Sequence, residues 1–143
     1  MSGLASLVAG RREPGIYRWH GGFHVPDVQH TVEHAGWRFA HLDGVGVESK
    51  WEFLDRIGDA FAFPDHYGRN FDALADCLHD VVAAHDEGTV LLWDGWGPFA
   101  RADERAFSVA LSVLGGRVHA ERGGRFVVLL RGEGPDLGIR SID

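Results

Sequence analysis

Two short runs constrain what this chain can fold into more than any other feature. Residues 89–93 read Thr-Val-Leu-Leu-Trp, and residues 126–130 read Phe-Val-Val-Leu-Leu. Both are of strand length, rich in β-branched and aromatic residues, and neither alternates apolar with polar. Runs of this kind read as buried strands. Residues 37–42 supply a third, with Trp37, Phe39 and His41 alternating against Arg38, Ala40 and Leu42, apolar on both sides. Amphipathic helices fill the spaces between. Ser49 and Glu52 form a Ser-x-x-Glu capping box, so a helix starts at Lys50 with Phe53, Leu54, Ile57, Ala60 and Phe61 on one face. Pro64 ends it. Asn70 is a good N-cap for a second helix over residues 71–82. Asp86 to Gly88 makes a turn, and 94–98 reads as a loop. A third helix covers 102–119 with Phe107, Ala110, Leu111 and Leu114, weakened by Gly115 and Gly116. Gly123 and Gly124 turn the chain into the last strand. Strand, helix, helix, strand, helix, strand implies an α/β fold on a parallel sheet with right-handed crossovers.

The ends are less regular. Residues 1–15 are polar and glycine-containing and predict little structure. Their apolar start precedes Arg11 and Arg12 instead of following a basic region, which is a poor signal-peptide pattern. Residues 16–20 alternate weakly, as a short extra strand would, before Gly21 and Gly22. Pro26 and Asp27 open a short helix with Val28, Val32 and Ala35 on one face, and Gly36 stops it. The tail, 131–143, reads as mobile. The chain divides into an extension at 1–36, a domain at 37–130 and that tail.

Composition narrows the function. At 143 residues, 45% hydrophobic and 24% charged, the chain suits one domain with a real core and is not of disordered composition. No apolar run approaches the length that spans a bilayer. The single cysteine, Cys77, rules out an internal disulfide and a cysteine-based metal cluster, and favours a reducing compartment, the cytoplasm. A formal charge of −7 repels nucleic acid and anionic membranes and attracts basic partners.

On the helix that starts at Phe71, helical phasing puts Phe71, Leu74, Leu78 and Val81 on the core face. Asp72, Asp76 and Asp80 fall four apart on roughly the opposite face. Three carboxylates in one row repel one another by a few tenths of a kcal/mol per pair, about the scale of any i,i+4 charge contact. Asp72 gains from the helix dipole and Asp80 does not. Local stability gives no reason for the row, whereas a cationic partner does; a merely solvated face is the plainer reading of the row alone.

The run Phe63-Pro64-Asp65-His66-Tyr67-Gly68-Arg69-Asn70-Phe71-Asp72-Ala73-Leu74-Ala75-Asp76-Cys77-Leu78 closely resembles the signature of the barstar family of ribonuclease inhibitors. Looser similarity runs from about Trp37 to Leu130. The resemblance implies a barstar-like fold, a small three-stranded parallel sheet flanked by helices, here with an N-terminal strand-helix extension. It also implies a non-enzymatic function: binding a small basic secreted microbial ribonuclease and occluding its active site with the acidic helix and the preceding loop, without a cofactor. Position by position, Asp76 takes the family's central carboxylate, Asp72 a second acidic contact, and Tyr67, Gly68 and Asn70 the loop. His66 stands where the family has a tyrosine, Ala75 where it has a tryptophan, and Asp80 and Val81 where it has a Gly-Trp pair. For the family's later glutamate contact, Val118 aligns without gaps and Glu121 only with a shift. The absent aromatics keep an alternative open, a barstar-fold immunity or adaptor protein for a non-RNase toxin or a regulator.

Other constellations read as structural. His30 and His34, four apart beside Glu33, have metal-ligand spacing, but a surface pair is the better reading, so no metal site is expected. His66, Asp72 and Asp76 lack a marked nucleophile or oxyanion site, so a hydrolase is the least favoured class and no catalytic residue is assigned. Cys77 reads as a small buried hydrophobe. The glycine pairs at 115–116 and 123–124 lack a phosphate-loop pattern and read as turns. Trp93 packs at a strand end, and Trp96 is placed where it could reach a partner.

Overall fold

In a computed structural model, residues 1–120 and 123–142 are described. The chain runs α1 (Ser2–Val8), β1 (Ile16–Trp19), α2 (Val25–His34), β2 (Arg38–Asp43), α3 (Lys50–Phe61), α4 (Phe71–Ala83), β3 (Gly88–Asp94), α5 (Gly97–Ala102), α6 (Glu104–Val118) and β4 (Arg125–Arg131). The strands form one sheet in the order β1-β4-β3-β2, and every pairing is parallel. The α/β class and the helix-flanked parallel sheet agree with the sequence reading.

The strand number does not: the sheet has four strands, not three. The weakly alternating segment is β1, and it pairs with β4 from Ile16 against Val128 to Trp19 against Arg131. Tyr17 and Trp19 point into the core while Ile16 and Arg18 are half-buried, so the alternation is real but only four residues long. Its outer side is also covered. Arg18 N donates to Arg140 O at 2.9 Å and Ile142 N donates to Arg18 O at 3.0 Å, so the end of the chain runs beside β1. Ile142 is fully buried. Composition suggested mobility for this tail, yet backbone pairing and one isoleucine hold it.

β3 and β4 are buried on both sides, which obliges the sheet to carry two cores. On one face Leu91, Trp93, Val128 and Leu130 pack against α3, α4, α5 and α6. On the other, Val90, Leu92, Val127 and Leu129 pack against Val28 and Val32 of α2 and Leu4 and Leu7 of α1. The first residues, expected to have little structure, thus form a helix that buries two leucines. Expectation also failed at the third helix. Pro98 lies in the first turn of a separate α5, and Asp103 caps α6 by accepting from Ala106 N at 3.0 Å. Gly115 and Gly116 lie inside α6 and not in a turn. Trp96 is fully buried between the Arg18 guanidinium and the Phe107 ring, so it cannot reach a partner.

A charged brace ties the carboxyl ends of three strands. Arg131 donates from Nε to Asp94 Oδ1 at 2.6 Å and from Nη2 to Asp94 Oδ2 at 3.0 Å. His41 Nε2 donates to the same Oδ2 at 2.8 Å. Arg131 Nη1 also holds the carbonyls of Gly21 and Phe23, fixing the turn after β1. Burial alone would raise the Asp94 carboxyl, but the hydrogen bonds from His41 and Arg131 and their charges outweigh it and hold the carboxyl below its ordinary value of 3.8. A depressed carboxyl stabilises the fold above its unfolded pKa and loses that contribution as the pH falls through its folded value. Asp94→Asn is expected to cost about 2 kcal/mol at neutral pH, the scale of hydrogen bonds to a charged group. Urea titrations at pH 7 and below pH 4 check this. The gap between parent and variant should narrow in acid, and a gap that stays constant contradicts the brace.

Candidate functional site

The segment between α3 and α4 is built to hold one shape. α3 ends on Ala62, which takes the left-handed backbone conformation at φ 53° and lets Phe63 N donate back to Gly58 O. Tyr67 N then donates to Pro64 O in a turn. The Tyr67 ring lies edge-on to Phe63 at 4.9 Å and over Gly58, where an added Cβ would stand 2.8 Å from it. Glycine is needed at 58 for that close approach. The Tyr67 hydroxyl donates to Leu54 O at 3.0 Å. Burial, with the nearby Cys77 and Asp55 outweighing Arg69, pushes its pKa up to about 12, so it stays a donor. Arg69 also sits in the left-handed region, at φ 51°, with its Nε 2.6 Å from Asp55 Oδ1. Asn70 then caps α4, its Oδ1 accepting from Ala73 N at 2.8 Å.

α4 is placed by Leu74, Cys77, Leu78 and Val82, which are buried against the sheet and α6, while Phe71 and Val81 are only partly covered. The core face is therefore turned slightly toward Cys77, which is buried as the sequence reading expected. Burial raises the Cys77 thiol, and Asp80 and Asp76 raise it further, as suits an inert structural cysteine. Asp72, Asp76 and Asp80 are all exposed, and none is within ion-pair distance of a described cation. His66, Gly68 and Asn70 are exposed at the loop crest, and Ala75 is exposed on α4. Under the loop lies a cleft of about 200 Å³ lined in part by Asp55, Asp59 and Asp65, so the negative surface extends past the helix.

His66, Gly68 and Asn70 on the loop and Asp72, Ala75, Asp76 and Asp80 on α4 are thus all exposed, while Tyr67 is half-buried. Val118 is buried in the α6 core and cannot replace the late glutamate contact; Glu121 lies outside the described residues. His30 and His34 stack on α2 at 5.8 Å between ring centroids, far along the chain from this surface. Among the described residues no three His, Cys, Asp or Glu side chains converge as a metal site would require. The sequence reading missed the α6 side of the surface. Ser112, Val113, Gly116 and Arg117 face Ala75 and His79 across a groove of about 320 Å³. Their i,i+4 spacing on a helix was the available signal.

A family model described as Barstar (barnase inhibitor) matches residues 37–131. The chain belongs to the barstar family. A Bacillus subtilis strain 168 protein, named "Putative ribonuclease inhibitor YrdF", is 49% identical over 37 residues, which is 26% of this chain and 41% of that protein. This chain therefore matches about two fifths of the length of that curated relative. Two solved structures share the layered fold. The ORC2 protein of Aeropyrum pernix has a TM-score of 0.58 at 15% identity, covering 93% of this chain and 40% of that one. Drosophila ORC bound to DNA has a TM-score of 0.56 at 14% identity, covering 99% and 44%. At that identity the likeness is one of fold only.

The loop geometry makes a direct prediction. Asn70→Ala removes a helix cap and should lower unfolding stability by about 1 kcal/mol. Tyr67→Phe removes the Leu54 hydrogen bond and should cost a similar amount, about 1 kcal/mol. Chemical denaturation measures both. An unchanged midpoint for both variants would mean that the loop is not held as described.

Proposed function

We propose that this barstar-family chain is a proteinaceous inhibitor that captures a small basic microbial ribonuclease and covers its active site. The observation that carries the reading is the exposed row Asp72, Asp76 and Asp80, without a described cation beside any of them. A ribonuclease cleft holds cations that bind RNA phosphates. Carboxylates spaced one helical turn apart offer such a cleft a substitute for successive phosphates. His66, Gly68 and Asn70 flank the row on the loop, and Tyr67 and Asn70 fix its angle to the helix. Asp76, at the centre of the row, is the principal contact. The partner is a protein, so neither nucleic acid nor a membrane is bound directly, and the chain itself performs no catalysis and needs no cofactor. We place it in the cytoplasm of the producing cell, where a lone thiol stays reduced. No helix among the described residues is long and apolar enough to cross a membrane.

One observation favours a second reading, a barstar-fold immunity or adaptor protein for a different basic toxin or regulator. The exposed α4 rows carry Asp, Ala and His and no large apolar side chain, whereas interface hot spots favour aromatics.

The test is RNA cleavage by a panel of basic secreted microbial ribonucleases with and without the full chain. At least one should be inhibited stoichiometrically. Asp76→Ala should weaken that inhibitor by about 2 kcal/mol or more, the scale for truncating one side of an interfacial charge pair. The association rate should fall as salt rises. An Asp76→Ala protein that inhibits as well as the parent would remove the assigned surface.

A further inference from the structure

Exposed carboxylates alone make weak anchors. A solvated ion pair contributes about 0–1 kcal/mol because water and salt screen it. A tight interface places its charge pairs beside a desolvated apolar contact. On α4 the row next to the aspartates is Phe71, Ala75 and His79, again four apart. Across from Ala75 and His79 stand Ser112, Val113 and Gly116 of α6, and between them lies the open groove of about 320 Å³. Its walls are partly apolar, since Leu78 is buried and Val113 half-buried. Its far end closes where Arg117 Nη1 meets His79 Nδ1. A Cβ added at Gly116 would find nothing within 4 Å.

We infer that this α4–α6 groove receives a large aromatic side chain of the same basic partner, seated beside the Asp72–Asp76–Asp80 row with the partner's cations on that row. The inference rests on the inhibitor reading above. Proximity to the acidic row, and so charge complementarity to a basic partner, selects this groove over the other open apolar patches, whose linings include none of Ala75, Asp76, His79 and Asp80. At one of them Trp51 is 65% exposed and Val109 39%, and Lys50 and Arg105 line it together with Asp103, away from the row. The only guanidinium at the α4–α6 groove among the described lining residues is that of Arg117, which is 8% exposed and engaged with His79. The acidic row borders the groove directly, so one partner segment can fill both. The arrangement gives the anchoring aromatic to the partner and the socket to this chain.

Two blocked pentapeptides test it, Arg-Arg-Trp-Arg-Arg and Arg-Arg-Ala-Arg-Arg, each titrated at low salt into the full chain and followed by backbone amide chemical shifts. Both should perturb the amides of Asp72, Asp76 and Asp80. The tryptophan peptide should bind about tenfold tighter, as an aromatic anchor does, and should also shift Ala75, Ser112 and Gly116. Gly116→Gln fills the groove with a neutral side chain, meets no steric barrier and favours the helix. It should erase the tryptophan advantage and leave the alanine peptide's affinity unchanged. Ser112→Gln should act in the same direction. Asp76→Ala should weaken both peptides alike. Equal affinity of the two peptides, an advantage that survives Gly116→Gln, or tryptophan-specific shifts centred on Trp51 overturns the inference while leaving the inhibitor reading standing. An alanine peptide that leaves the acidic row unperturbed counts against the inhibitor reading itself and takes the groove with it.

Discussion

The two-sided burial of β3 and β4 is the constraint from which the rest follows. A strand with apolar side chains on both faces needs a layer of helices on each. α1 and α2 supply one layer and α3 to α6 the other. Once the second layer holds four helices, α4 can bury only one face of its own, through Leu74, Cys77, Leu78 and Val82. Its opposite face must meet water. The aspartates stand on that face because the sheet fixes which side is left over. The side left exposed is thus set by the same packing that makes the core.

The layer of α1 and α2 also explains why the first 36 residues belong to the fold. Without Val28, Val32, Leu4 and Leu7, the valines and leucines at 90, 92, 127 and 129 would face solvent. At about 25 cal/mol for each Å² of apolar surface, exposing four such side chains would cost several kcal/mol, comparable with the whole stability of a domain this size. The Arg131–Asp94–His41 brace acts at the end of the same sheet. It joins β2, β3 and β4 and, through Gly21 and Phe23, fixes the turn that leads into α2. A single arginine therefore couples the domain matched by the family model to the segment that precedes it.

Most of the second layer was legible in the sequence because its signals are local. The capping box at Ser49 and Glu52 and the cap at Asn70 each form as their spacing requires. Periodicity placed the aspartates outward, and they are exposed. What escaped was set by distant pairing. β1 has four residues and a faint pattern, and becomes a strand because β4 offers it an edge. The chain's end is held by β1 in turn. Trp96 looked available in a loop, but α5 and the stretch at Glu133 and Gly134 close over it. The groove on α6 was missed for a related reason, since the i,i+4 pair Ser112 and Gly116 becomes a socket only when another helix lies alongside.

The geometry also divides the loop-and-helix residues by task. Tyr67 spends its hydroxyl on Leu54 and half its ring on Gly58 and Phe63, and Asn70 spends its carboxamide oxygen on the Ala73 amide. Groups so engaged position the surface more than they contact a partner. Exposed and without a hydrogen-bond or ion-pair partner among the described residues are the side chains of His66, Asp72, Asp76 and Asp80. Of these His66 alone is an aromatic. The three carboxylates are exposed on α4 without a described cation beside them. On the proposed reading, attraction rests on α4, orientation on the loop that Tyr67 and Asn70 hold, and discrimination among basic partners on the shape that fits beside Ala75.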